Sequence, residues 1–275
     1  MRRLCGIMMA LLVASPALFA DEDASAGLVR TFPVEKAFTF EVGKNVLHDT
    51  YLTPLRYDGI SFGIAYQQRQ AMRFDPSRWN MRLTGRVNFA PTENPSRTAT
   101  IYNLGAHFDW AMTRVWNFPD LPSIFSFGVG GGTSLNLGCL YSTRNGNNPV
   151  SAKASWTIDF AGVAEWKWRE PGRVPITVRY QPTIPLTGAF FSPEYGQLYY
   201  EIYMGDNRNL AHFAHPGNYF AIENLVTADF RFGTTSVRIG YRGNFLSTRI
   251  NNITSREVTN AIVIGVSGCW IPVRY

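Results

Sequence analysis

The chain has 275 residues, 45% hydrophobic and 14% aromatic, with a formal charge of +6 and three cysteines. Its Lys and Arg residues are scattered without a basic run, which speaks against a nucleic-acid partner. After the N-terminal stretch, no segment approaches the roughly 18 uninterrupted apolar residues of a membrane-spanning helix.

The first 20 residues read as a secretory signal peptide. Arg2 and Arg3 form a positive start, Leu4 to Leu18 is apolar or small, and Ala20 offers a cleavage position before Asp21-Glu22-Asp23. Ala24-Ser25-Ala26 is a second candidate cleavage site. This implies export through the general secretory route. Residues 21–35 are expected as a short N-terminal periplasmic segment, and 36–275 as one β-domain. Cleavage leaves Cys139 and Cys269, and sequence separation does not say whether they pair.

Strand-like alternation dominates the remainder. Phe38-Thr39-Phe40-Glu41-Val42 alternates, and Ile60 to Gln67 places its apolar set on even positions. Trp79 to Phe89 is the clearest case, with apolar residues or Gly at odd positions and Asn, Arg or Thr at even ones. Successive strand side chains point to opposite faces, so one face is greasy and the other strongly hydrated. Tyr102 to Met112, Phe125 to Val129, Trp156 to Trp168, Ile176 to Tyr180, Phe220 to Phe232 and Val237 to Phe245 repeat the pattern. A last strand is expected from about Val258 to Tyr275.

A secreted β-sandwich would also bury a greasy face. Length favours a transmembrane barrel, because these segments exceed the roughly 5 or 6 residues usual for globular strands. Aromatic residues crowd the strand ends, as in girdles at two bilayer interfaces. The fold expected is therefore all-β, a transmembrane antiparallel β-barrel of ten strands with both termini inside. If 183–218 adds a hairpin through Leu198 to Tyr203, the count becomes twelve. Connectors 44–56, 137–151, 183–218 and 247–256 read as long, whereas 117–122, 169–173 and 233–235 read as short. Trp270 to Tyr275 ends on an aromatic residue, similar to the signal read by barrel assembly machinery, from which Pro272 departs.

On this pattern the lumen-facing charges are Arg82, Arg86, Asp109, Asp159, Glu165, Lys167, Arg179, Glu223, Asp229, Arg231, Arg238 and Arg242. Both signs are present, so cross-lumen ion pairs would close a barrel of this size, although twelve strands would allow a narrow channel for a small polar solute. Tyr141, Arg144, Asn145, Tyr195, Tyr199 and His215 are candidates for binding at the barrel mouth. His212 and His215 lack further ligands at matching spacing, so no metal is expected. Ser192, His215 and Asn218 could in principle form a lipid-hydrolysing triad, but the His-containing signature of such barrels is absent. No cofactor and no catalytic residue are expected.

Thr50 to Tyr57, Leu140 to Pro149, Ser192 to Tyr203 and His215-Pro216-Gly217-Asn218 resemble a family of uncharacterised outer-membrane β-barrel proteins of Gram-negative gut and oral bacteria. Arg242 to Phe245, followed by Asn251-Asn252-Ile253, fits the same resemblance. It implies an outer-membrane location with membrane lipids and the assembly machinery as partners. It implies no activity and leaves the ligand open.

Overall fold

The computed structural model describes residues 33–118, 124–146, 148–169, 172–206 and 208–270, with only the backbone of the last. The expected signal peptide, residues 21–32 and the terminal residues 271–275 lie outside the described residues.

Alternation at period two produces long strands here. In chain order these are β1 (Val34–Asp49), β2 (Arg56–Ala71), β3 (Trp79–Glu93), β4 (Thr100–Phe118), β5 (Ile124–Ser142) and β6 (Val150–Trp168). There follow β7 (Ile176–Phe191), a short helix α1 (Tyr199–Tyr203), β8 (Ala211–Ala214), β9 (Tyr219–Phe232), β10 (Thr235–Ile250) and β11 (Ile253–Trp270). Each strand from β1 to β7 pairs antiparallel with the next. β7 pairs with β9, β9 with β10, β10 with β11, and β11 with β1. The sheet closes on itself as a barrel of ten strands, which removes every long unpaired edge.

β8 is not a barrel strand. It pairs only with the end of β7, Gly188–Phe191. The segment expected as an extra hairpin through Leu198 to Tyr203 is instead helix and loop, so the twelve-strand alternative is overturned.

Val34 pairs with Trp270, so β1 begins and β11 ends at one rim, called here the terminal rim. The opposite, loop rim carries α1 and β8. The long connectors expected at 44–56 and 247–256 are shorter in the structure. β1 continues to Asp49, and β10 turns into β11 through Asn251 and Asn252 alone, at φ 52° and 62°. Asn tolerates this left-handed backbone, and two such residues make the tight turn that matches strand twist. β1 also starts at Val34, which takes Glu35 into the barrel rather than into a preceding segment.

The polarity is inverted relative to a soluble protein. Phe38, Phe40, Ile60, Phe62, Ile64, Val87, Trp156, Ile239, Ile262 and Ile264 point outward and are exposed, Ile262 to 60%. The inward positions hold buried Thr39, Glu41, Gln67, Asp229, Arg238 and Arg242, Arg238 at only 1% exposure. Outward aromatic rings gather in two places. Near the terminal rim Trp116 stacks on Phe127 at 6.5 Å, and Phe125 meets Trp166 at 4.9 Å. Toward the loop rim Phe89, Tyr102 and Tyr141 form a column at 6.0 and 6.4 Å. Beyond Val42 the outer wall of β1 turns polar, and Lys44 pairs with Asp58 at 2.8 Å.

One stretch of wall is irregular. β7 carries Pro182 and Pro185, which donate no ladder hydrogen bond. Its register against β6 shifts between Ile158 and Asp159. Its pairing with β9 ends at Thr183–Glu223. β8 replaces β9 beside β7 from Gly188 on.

Cys139 and Cys269 are both free. Cys139 pairs with Leu104 toward the loop rim, and Cys269 with Glu35 at the terminal rim, so they lie at opposite ends.

Candidate functional site

The alternation that builds the wall also delivers its charges to one interior, where they form two stacked layers. In the terminal-side half, Glu35 accepts from Arg179 at 2.8 and 2.9 Å, from Arg238 at 2.9 Å and from Arg69 at 3.3 Å. Arg179 Nε also donates to Glu165 at 2.7 Å, and Lys167 lies 2.6 Å from the same carboxylate. Arg238 closes the ring on Asp229 at 2.7 and 2.9 Å. Gln67 donates to Gln181 at 3.1 Å, crossing from β2 to β7. These strands stand on opposite sides of the barrel, so the bonds span the lumen.

A second layer lies at mid-height. Arg242 donates to Glu41 at 2.8 Å and to Glu223. Arg82 grips Asp109 at 3.0 and 3.1 Å and reaches Thr183 at 2.8 Å. Arg86 Nη1 is 3.7 Å from Glu41. His107 sits between Asn136 at 2.5 Å and Glu223 at 3.7 Å. Asp159 accepts from Ser134 and from Thr157, the latter at 2.6 Å. Against this layer, bordered also by Gln67 and Gln181, lies a pocket of about 10 Å³, room for roughly one water.

Above it the lumen opens into a cavity of about 190 Å³. Its floor is Glu41, Arg86, His107 and Glu223. Its upper walls include Leu47, Leu140, Phe190, Tyr219, Leu246 and Glu257. The roof is a cluster of Leu47, Leu52, Tyr57, Ala99, Ile101 and Leu140, with Tyr51 packed on it.

The loops knit this roof together. Tyr51 Oη donates to the Gln197 carbonyl at 2.7 Å and accepts from Asn148 at 2.5 Å. Lys153 meets Asp49 at 2.5 Å. Burial pushes the Tyr51 phenol above its usual range, and pushes that of Tyr199 up to about 12. On the exposed loop, a hydrogen bond from Arg208 lowers the Asp206 carboxyl.

The residues singled out from the sequence for the mouth are dispersed. Tyr141 is on the outer wall in the aromatic column. Asn145 donates to the Leu52 carbonyl at 2.9 Å, and Tyr199 Oη accepts from Ala152 N at 2.6 Å. Arg144 reaches Thr98 at 3.4 Å, while Tyr195 is 67% exposed. His215 Nδ1 accepts from Gly217 N in its own turn. Ser192 Oγ donates to the Pro193 carbonyl, and the histidine bonded to the Ser192 backbone is His212. Ser192 and His215 are therefore not brought together as nucleophile and base. Among the described residues no cluster of His, Cys, Asp and Glu suits a metal ion.

Of the twelve charges assigned inward from the sequence, Arg231 lies nearest the terminal rim, bonded to Gly233, and the other eleven occupy or flank the two layers. Glu35, Glu41, Arg69, Asp49, Lys153 and Glu257 also face inward. Glu41 carried a readable signal in the alternation of Phe38 to Val42. Glu257 sat one residue before the expected last strand.

In fold the chain is similar to several solved structures. The outer membrane protease OmpT of Escherichia coli shares 7% identity at a TM-score of 0.44, covering 91% of this chain and 100% of that one. An outer membrane channel of Pseudomonas putida F1 shares 6% identity at a TM-score of 0.37, covering 91% and 99%. The translocator domain of autotransporter NalP from Neisseria meningitidis shares 10% at 0.36, covering 99% and 96%. No curated protein sequence matches. The family described as a protein of unknown function (DUF3316) matches residues 5–271, and the chain belongs to it.

Proposed function

We propose that this protein is a non-conducting barrel of a Gram-negative outer membrane, exported by the secretory route, inserted by the barrel assembly machinery, and working from its loop side. The outward apolar band and its two aromatic zones fit a lipid environment. The loop rim then faces outward. The observation that carries the reading is the double layer of ion pairs. Arg179, Arg238, Glu35 and Asp229 fill the terminal-side lumen, and each is held by partners on other strands. A solute crossing there would have to break several charge-assisted bonds in a confined interior, where each is stronger than in water.

No catalytic role is proposed. The hollow loop-side half and the roof over it support a binding or structural role at the outer surface. In planar lipid bilayers the purified protein is expected to give no steady unitary current. Steady, reproducible channels would overturn the sealed reading and favour a narrow solute channel.

A further inference from the structure

Among the described residues, one acid lining the loop-side cavity stands in no ion pair. Around it Glu41 and Glu223 are matched by Arg242, and Asp49 by Lys153. Glu257, from β11, also lines the cavity. Its Oε1 accepts from Asn45 at 2.8 Å and from Asn103 at 2.7 Å, both neutral amides. Among the described residues it forms no ion pair. Asn45 in turn leaves its own Oδ1 buried without a donor. Around Glu257 the chain supplies neutral amide donors, whereas Arg86 Nε, unpartnered among the described residues, lies on the cavity floor.

An unpaired carboxylate in a confined space is costly, and a bound cation would offset that cost. The opposite requirement comes from the other walls. Phe190, Tyr219 and Leu246 are apolar or aromatic surfaces facing the same space. A bare metal ion would leave them unused, and an anion would be repelled at the Glu257 wall where these surfaces lie, away from Arg86 on the floor.

We propose that the cavity is a binding site for a small organic cation, a primary ammonium carried on an aryl or alkyl body. Glu257 receives the ammonium, and Phe190, Tyr219 and Leu246 cover the body. The aromatic rings add attraction to a cation as well as apolar contact. A volume of about 190 Å³ admits a single-ring amine and excludes large solutes. The inference rests on the sealed-barrel reading only in that it takes the cavity as a terminus and not as part of a pore.

The test is titration calorimetry on the full chain in detergent with phenethylammonium, 2-phenylethanol, phenylacetate and methylammonium. Phenethylammonium is expected to bind, and each of the other three at least about tenfold more weakly, the scale of one charge-assisted hydrogen bond or one apolar body. Glu257→Gln should weaken phenethylammonium by about tenfold or more, and Phe190→Ala by several-fold, in protein that still shows heat-shifted gel mobility. No binding of phenethylammonium, equal binding of the neutral alcohol, or unchanged affinity in Glu257→Gln would overturn the site. If Glu257→Gln did not fold, the ammonium-to-alcohol ratio in the natural chain decides alone. Steady bilayer current together with ammonium-selective binding would support this site and overturn only the sealed-barrel reading.

Discussion

The two halves of the lumen are lined by the same ten strands and yet are built on different chemistry. In the terminal-side half every acid meets at least one guanidinium, and Glu35 alone meets three. In the loop-side half an apolar roof covers a hollow, and Glu257 is held by neutral amides. The first arrangement is matched charge with little space. The second is unmatched charge beside space. Removing one partner from matched buried charge is expensive, whereas neutralising an unmatched acid is cheap. The proposed ligand belongs to the second half.

Arg238→Ala should have the largest effect. It removes the two-bonded partner of Asp229, leaving it Ser267 and Arg179 at 3.6 Å, and one partner of Glu35, and about 3–5 kcal/mol of stability should be lost in urea unfolding from liposomes. A loss under about 1 kcal/mol would remove the distinction between the halves. Leu140→Ala in the roof should cost about 2–4 kcal/mol by opening a cavity among Leu47, Ile101 and Tyr57. A sharper contrast pairs two isosteric changes. Glu35→Gln should cost about 2–3 kcal/mol, because three arginines lose their counter-charge. Glu257→Gln should stay within about 1 kcal/mol of the natural chain, because its amide partners remain usable. Equal costs in the same unfolding assay would erase the comparison. A similarly small effect belongs to Tyr199→Phe, which removes the acceptor for Ala152 N. It should cost about 1 kcal/mol and speed tryptic cleavage at exposed Arg208.

The wall was readable in the sequence because period-two alternation reports directly which residues share a face. Trp79 to Phe89 and Trp156 to Trp168 gave both the strand and the direction of each side chain. The cross-lumen partnerships were not readable. That Arg238 meets Glu35, 203 positions away, follows from closure and register, and alternation carries no register between distant strands. Strand ends were also hidden. Leu47, Asp49 and Ser255 continue as strand through polar sequence once the wall rises beyond its apolar band, where turn formers and strand residues look alike. The Leu198 to Tyr203 stretch, Tyr-rich and apolar, suggested a strand. It forms a five-residue helix instead, whose first turn is held by the Glu201 side chain accepting from Leu198 N at 2.8 Å.

The proposed function requires the Trp, Phe and Ile side chains of this wall to meet hydrocarbon. Tryptophan fluorescence of the protein reconstituted in vesicles with brominated acyl chains tests this most directly. Trp110, Trp156 and Trp166 lie on outward positions, so strong quenching by the bromines and weak quenching by aqueous acrylamide are predicted. Emission untouched by brominated lipid, from a chain that stays monodisperse in water without detergent, would contradict the account.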